Sequence, residues 1–183
     1  MIRKREMAKL EIIMGNMFSG KTSELIRRIK RHNIIGNKVL VINSGIDTRN
    51  ITSVLQTHDK TTFECIKTNN LSEVSTRTEY QSAKVIAVDE VQFFSNLRFF
   101  VERAMTDNKH VILTGLDGDY QQHVFGELLS VIPLADEVIK ISALCMECLD
   151  GTLGPFTKRI VDSCVQELVG DSNSYRAVCR NHL

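Results

Sequence analysis

The stretch Gly15-Asn16-Met17-Phe18-Ser19-Gly20-Lys21-Thr22 fits the pattern G-x-x-x-x-G-K-[ST] at every fixed position. Its glycines let the backbone wrap closely, so successive N–H groups can point at phosphate oxygens. In that reading Lys21 neutralises the β- and γ-phosphates of ATP, and the Thr22 hydroxyl enters the shell of a Mg²⁺ ion. A helix opening here adds the positive end of its dipole to the anion site. The bland alternative is a glycine turn with a surface lysine, and the pattern arises by chance in on the order of one chain in a hundred. The flanks argue against chance. Lys9–Met14 reads as a strand, and Lys21–Ile35 reads as a helix with apolar residues at 25, 26, 29 and 34.

Working outward, Lys38–Ile42, Val85–Val88, Val111–Leu113 and Val138–Ile141 are further short apolar runs. Asn96–Met105 is amphipathic, and a helix is predicted over Phe125–Ile132. Continuous rather than alternating apolar strands, interleaved with helices, indicate a parallel sheet covered on both faces. Ligand sites in such sheets lie at the carboxyl ends of the strands. Gly45–Cys65 is polar and aperiodic, which fits either a loop or a hairpin. The character changes from about Ala143, where Gly151, Gly154 and Pro155 break any helix and only Lys158–Val161 and Arg176–Val178 look strand-like. A boundary near Ser142 divides the chain into an α/β phosphate-loop domain, 1–142, and a small C-terminal domain, 143–183.

The chain has 183 residues, 23 Lys+Arg against 22 Asp+Glu, and 43% hydrophobic residues, which fits a folded chain with one main core. A net charge of +1 argues against a dedicated nucleic-acid binder. No apolar run approaches the ~18–20 residues of a membrane span. The basic Met1–Arg5 is followed by too short an apolar stretch for a signal peptide. Five cysteines without a secretory signal suggest a reducing, cytoplasmic setting.

Val85–Val88 ends in Asp89-Glu90. In a phosphate-loop fold an Asp at this strand end belongs to the magnesium shell together with the loop hydroxyl, here Thr22. Strand alternation sends the Glu90 side chain the opposite way, free to act as a base beyond the γ-phosphate. Gln92 could orient a water or hydroxyl, whereas Phe93 and Phe94 fit core positions as well as a site. Cys145-x₂-Cys148 and Cys179-x₂-His182 carry the spacing of a Cys₃His tetrahedral zinc site, which would replace the core that so short a segment lacks. Cys65 and Cys164 are expected to be buried thiols. His32, His58, His110 and His123 show no ligand spacing.

Taken in order, Gly15–Thr22, Asp47-Thr48-Arg49, Asp89–Phe94, Gly115–Gly118, Cys145–Cys148, Phe156-Thr157-Lys158-Arg159 and Tyr175 before Cys179 resemble the type II thymidine kinases, over residues 9–182. The resemblance implies a RecA-like α/β domain with a zinc-held lasso, transfer of the γ-phosphate of ATP to the 5′-hydroxyl of thymidine, feedback inhibition by dTTP, and a homotetramer. By the same resemblance Glu90 is the base, Asp89 a magnesium-shell acid, and Asp47, Thr48, Arg49 and Gln92 lie near the phosphates. Phe93, Tyr120, Phe125, Thr157, the lasso residues Gln166, Glu167, Leu168, Val169 and Gly170, and Tyr175 fall on the thymidine side. Asn16 stands where many members have Pro, and Tyr120 where many have Phe. The competing reading is a RecA-like ATPase with a zinc-ribbon tail that grips nucleic acid, against which the balanced charge stands. In either reading the nucleotide and the metal-held ligand belong to different domains, so loss of zinc should spare ATP binding.

Overall fold

The computed structural model describes residues 7–46, 54–56 and 62–183. Strand β1 (Lys9–Gly15) leads through the glycine loop into α1 (Lys21–Ile34) and then β2 (Val39–Ser44). Strands β3 (Val54–Gln56) and β4 (Thr62–Glu64) pair antiparallel, and β5 (Ile66–Thr68) follows. Two short helices, α2 (Leu71–Val74) and α3 (Thr78–Ser82), precede β6 (Val85–Val88), a 3₁₀ turn at Val91–Phe93, α4 (Leu97–Thr106) and β7 (His110–Gly115). A 3₁₀ segment, Leu128–Leu134, leads to β8 (Glu137–Ile141). The remainder holds β9 (Ala143–Leu144), β10 (Leu153–Gly154), β11 (Phe156–Arg159), β12 (Tyr175–Val178) and a 3₁₀ turn, Arg180–His182.

Six strands form one sheet in the order β5-β2-β6-β7-β1-β8, with every pairing parallel. Successive strand residues face opposite sides, and both sides are cores. Leu10, Ile12, Leu40, Ile42, Ile86, Val88, Val111 and Leu113 pack with α2, α3 and α4. Ile13, Val41, Val85, Ala87 and Ile112 pack against Leu25, Ile26 and Ile29 of α1. Two buried faces are why these strands read as unbroken apolar runs. Each fully buried Ile or Leu contributes roughly 1.5–3 kcal/mol of transfer free energy.

Helix α1 stops one residue before the sequence reading placed its end. Gly36, at φ 76, turns the chain so that its N–H meets Asn33 O and the Asn37 N–H meets His32 O. This pair of bonds satisfies the last carbonyls of the helix. The helix expected over Phe125–Ile132 is instead the 3₁₀ segment Leu128–Leu134, which contains Pro133 and buries Leu128 and Val131. Proline removes the donor that a continued α-helix would need. The β3–β4 pair takes the hairpin alternative for part of Gly45–Cys65, while β5, α2 and α3 had no clear sequence signal. Cys65 is buried as expected, but Cys164 is exposed, on a stretch with no regular structure and little apolar neighbourhood. Asp47-Thr48-Arg49 and His58 lie outside the described residues.

Candidate active site

Because all six strands run parallel, their carboxyl ends gather on one edge, and the ends of β1, β6 and β7 carry candidate residues. Gly15 ends β1 so close to β8 that a Cβ there would lie 2.0 Å from the Ile141 carbonyl oxygen. Only glycine fits. Phe18 (φ 65) and Gly20 (φ 86) turn the loop through left-handed backbone, and α1 starts directly after it. Lys21 is buried, and its Nζ donates to Asn16 O at 2.7 Å, while Ser19 Oγ donates to the same oxygen at 2.8 Å.

Thr22 Oγ1 donates to Asp89 Oδ2 at 2.8 Å, which joins the start of α1 to the end of β6. Asp89 Oδ1 accepts from the Thr114 hydroxyl and from the Glu90 N–H at 3.0 Å. Burial, and then the neighbouring Glu90 charge, push the Asp89 carboxyl up to about 6. A cation beside such a group favours its ionised form. Glu90 does not continue the strand. At φ 53 it is left-handed and begins the 3₁₀ turn, so the turn and not strand alternation aims its carboxylate. Gln92 Nε2 donates to Glu90 Oε2 at 2.6 Å, and Gln92 Oε1 accepts from the Leu116 N–H at 3.1 Å. Gln92 therefore fixes the Glu90 carboxylate against the end of β7. Phe94 is core, whereas Phe93 is half-buried and meets Phe125 edge-to-face with centroids 5.7 Å apart.

Tyr120 and Tyr175, 55 residues apart in sequence, are both reached by Arg159, whose guanidinium lies 3.7 and 5.3 Å from their ring centroids. The segment 160–174 has no helix or strand. Gln166 Nε2 donates to Asp119 Oδ2 at 2.6 Å and to Val124 O at 3.3 Å. Burial opposes ionisation of Asp119, but this bond and the His123 and Gln121 amides hold its carboxyl below the ordinary range. Leu168 O accepts from the Tyr175 hydroxyl at 2.7 Å. Gly170 packs against the Tyr175 ring, where a Cβ would lie 3.1 Å from Cε2. Glu167 is exposed and Val169 half-buried.

Cys145, Cys148, Cys179 and His182 bring their ligand atoms within 4.8 Å of one another. Cys148 Sγ lies 3.7 Å from Cys179 Sγ, and His182 Nδ1 lies 3.7, 3.4 and 3.3 Å from Cys145, Cys148 and Cys179. Zinc bonds of about 2.3 Å to sulfur and 2.0 Å to nitrogen set tetrahedral edges of roughly 3.5–3.8 Å, so this donor set fits Zn²⁺ with no open position. Burial opposes ionisation of Cys145, yet amide donors, led by the Cys179 N–H, bring it down to about 6. Cys148, whose thiol hydrogen-bonds to Cys145, is pushed up to about 12. Three thiols this close cannot all ionise without a cation.

The segment that carries the cluster touches the phosphate loop. Asn16 Nδ2 donates to Gly154 O at 2.9 Å and Phe156 O at 3.4 Å, and Asn16 Oδ1 accepts from the Ala143 N–H at 3.3 Å. The Met17 N–H reaches Thr157 Oγ1 at 3.0 Å, so Thr157 faces the phosphate loop. Sequence reasoning missed Thr114, Asp119 and the central place of Arg159. Thr114 had a signal, as a hydroxyl ending an apolar strand. Arg159 was marked only as part of the Phe156–Arg159 stretch, and Asp119 not at all, because Tyr120 and Gln166, which they meet, come from distant elements.

The model of a family described as "Thymidine kinase" matches residues 8–183. Cytosolic thymidine kinase of Cricetulus griseus is 40% identical over 172 residues, covering 94% of this chain and 71% of that protein. The cytosolic thymidine kinase of Homo sapiens is 39% identical, with the same two coverages, 94% and 71%. Thymidine kinase of Vaccinia virus (strain Ankara) is 38% identical, covering 93% of this chain and 94% of that one. Among solved structures, the flagellar accessory protein FlaH from Methanocaldococcus jannaschii aligns with a TM-score of 0.48 and 16% identity, over 79% of this chain and 74% of that one. That likeness is too loose to argue from. The sequence matches are not, and this chain belongs to the thymidine kinase family.

Proposed function

We propose that this chain is an ATP-dependent thymidine kinase, converting thymidine and ATP to dTMP and ADP. The observation that carries the reading is the meeting, on one sheet edge, of the Thr22–Asp89 pair with Glu90, which Gln92 holds at 2.6 Å. Glu90 is the base. Its carboxylate takes the proton of the 5′-hydroxyl as that oxygen forms a bond to the γ-phosphorus and the bond to the β-bridging oxygen breaks. The loop amides of residues 15–22, Met17 excepted because its N–H is held by Thr157, and Lys21 bind the phosphates, with Asp47, Thr48 and Arg49 assigned to the same side by family resemblance. Lys21 gives up its bond to Asn16 O for the phosphate oxygens, whose charge it then neutralises. Thr22 Oγ1 and Asp89 Oδ2 suit the oxygen shell of Mg²⁺, which when bound neutralises phosphate charge.

The nucleoside is uncharged, so its pocket calls for shape and backbone hydrogen bonds. Phe93, Phe125, Tyr120 and Tyr175 supply aromatic walls, and the 166–170 backbone supplies donors and acceptors for the base edge. A covered site also excludes water, which would otherwise consume ATP. In this reading residues 1–142 are the nucleotide domain and 143–183 the zinc-held lasso domain, with zinc purely structural. Feedback inhibition by dTTP, a homotetramer and a cytoplasmic setting follow from the family resemblance. The cytosolic names of the mammalian relatives support the last of these. No helix among the described residues is long and apolar enough to cross a membrane.

The test is phosphoryl transfer from ATP with Mg²⁺ across the nucleosides. Thymidine should be turned over in preference to purine nucleosides. ATP turnover indifferent to thymidine but stimulated by DNA would overturn the reading in favour of a nucleic-acid-dependent ATPase.

A further inference from the structure

Arg159 ends β11 and sits where three pieces of chain meet. Its Nη1 donates to Ser163 O at 3.0 Å and Val165 O at 2.6 Å. Nη2 donates to Gln166 O at 3.0 Å and to the Tyr175 hydroxyl at 2.8 Å, and Nε reaches the same hydroxyl at 3.2 Å. The Tyr175 hydroxyl spends its own proton on Leu168 O. The guanidinium also lies over the Tyr120 ring, on the loop after β7. Among the described residues no carboxylate pairs with Arg159. Its charge is met by carbonyl dipoles and ring faces.

The segment it holds has little else to order it. Residues 160–174 form no helix or strand, and Cys164, Val165, Gln166 and Glu167 are exposed. Beside the Gln166 contacts with Asp119 and Val124, and the Tyr175 hydroxyl on Leu168 O, the segment is tied to the β11–β12 pair by the three carbonyl bonds of Arg159. Arginine suits this work because its fork of donors is planar and rigid, whereas a lysine ammonium offers a point charge.

We propose that Arg159 is a positioning residue for thymidine: it holds residues 163–168 and Tyr175 closed against Tyr120 without touching substrate or phosphate. The proposal rests on the reading of 166–170 and Tyr175 as the nucleoside wall. If the closed form is the binding-competent one, lowering its population weakens apparent thymidine affinity by the same factor, while ATP, held by the loop of residues 15–22, is spared.

The test compares the full-length zinc-loaded enzyme with Arg159→Met, which keeps the stem, and Arg159→Lys, which keeps the charge without the fork. The readouts are KM for thymidine and for ATP, the rate of cutting at Val165–Val169 by a protease that prefers aliphatic residues, zinc content and melting temperature. Arg159→Met should be cut faster and show a thymidine KM raised about 10-fold or more, with the ATP KM within about twofold and zinc content unchanged. Arg159→Lys should fall between. Unchanged cutting would overturn the positioning role. A rise in both KM values with a lower melting temperature would replace it with a merely structural one. Faster cutting with an unchanged thymidine KM would instead overturn the assignment of 166–170 to the nucleoside, and the proposal with it.

Discussion

The side-chain nitrogen of Asn16, in the phosphate loop, donates to the carbonyl of Gly154 at 2.9 Å, and Gly154 packs directly on the backbone of Cys145. A Cβ on Gly154 would come within 2.8 Å of Cys145 Cα. Asn16 is 2% exposed, and its backbone oxygen accepts from Lys21. The phosphate loop and the segment that carries the Cys/His cluster are thus joined through one buried amide, with Met17 and Thr157 as a second joint.

Replacing Asn16 with Ala removes its side-chain bonds to the Gly154 carbonyl and the Ala143 N–H in a buried place, at a cost of about 1–3 kcal/mol. The expected outcome is a lower melting temperature and a KM for ATP raised several-fold, with zinc content intact. A melting temperature and ATP KM equal to those of the parent would show that the joint transmits nothing.

The same joint changes what metal removal should do. Elemental analysis should find one zinc per chain, held by Cys145, Cys148, Cys179 and His182. Chelation or Cys148→Ser should abolish thymidine binding, because the segment after β11 lacks a core of its own. ATP binding should weaken as well, though less, since Asn16 loses the Gly154 and Phe156 carbonyls it bonds and the Met17 N–H loses the Thr157 hydroxyl. ATP affinity left untouched by zinc removal would mean that the two ligand sites are independent, as the sequence alone suggested.

Glu90→Gln keeps the size of the side chain and a possible bond to Gln92 while removing the base. Turnover should fall by roughly 10²–10⁴-fold, with ATP binding preserved. Near-normal thymidine turnover at saturating substrate would remove Glu90 from the chemistry.

At the opposite edge of the sheet, Glu11 is buried among His110, Arg28 and Lys9. Burial opposes its ionisation, but these partners outweigh it and hold the carboxyl well below its ordinary value of 4.5. A depressed carboxylate contributes its full stability above that ordinary value and loses it as the pH falls below. Glu11→Gln should lower stability at pH 7 by about 1–2 kcal/mol, softened because Arg28 keeps Glu24 and Glu137. It should also flatten the loss of melting temperature below pH 4.5, with activity at pH 7 unchanged. An acid limb identical to the parent's would show that Glu11 is not the group that titrates.

By itself the sequence determined the elements whose signal is local. The glycine loop, the unbroken apolar strands, the α1 stripe and the paired Cys and His spacings are each read within a few residues. So is the Asp89-Glu90 strand end, because strand termini and loop chemistry follow from neighbours in the chain. Tertiary structure decided everything that depends on who arrives from elsewhere. Pro133 and the packing of Leu128 and Val131 turned an expected helix into a 3₁₀ segment. A left-handed turn, and Gln92 bonded across to β7, aimed Glu90 where strand alternation could not. Cys164 stayed in solvent, on a stretch that forms no helix or strand. Arg159 found Tyr120, and Asn16 found Gly154 138 residues away, because the antiparallel pairs β9–β10 and β11–β12 pack against the phosphate loop and the loop after β7, contacts that no local pattern encodes.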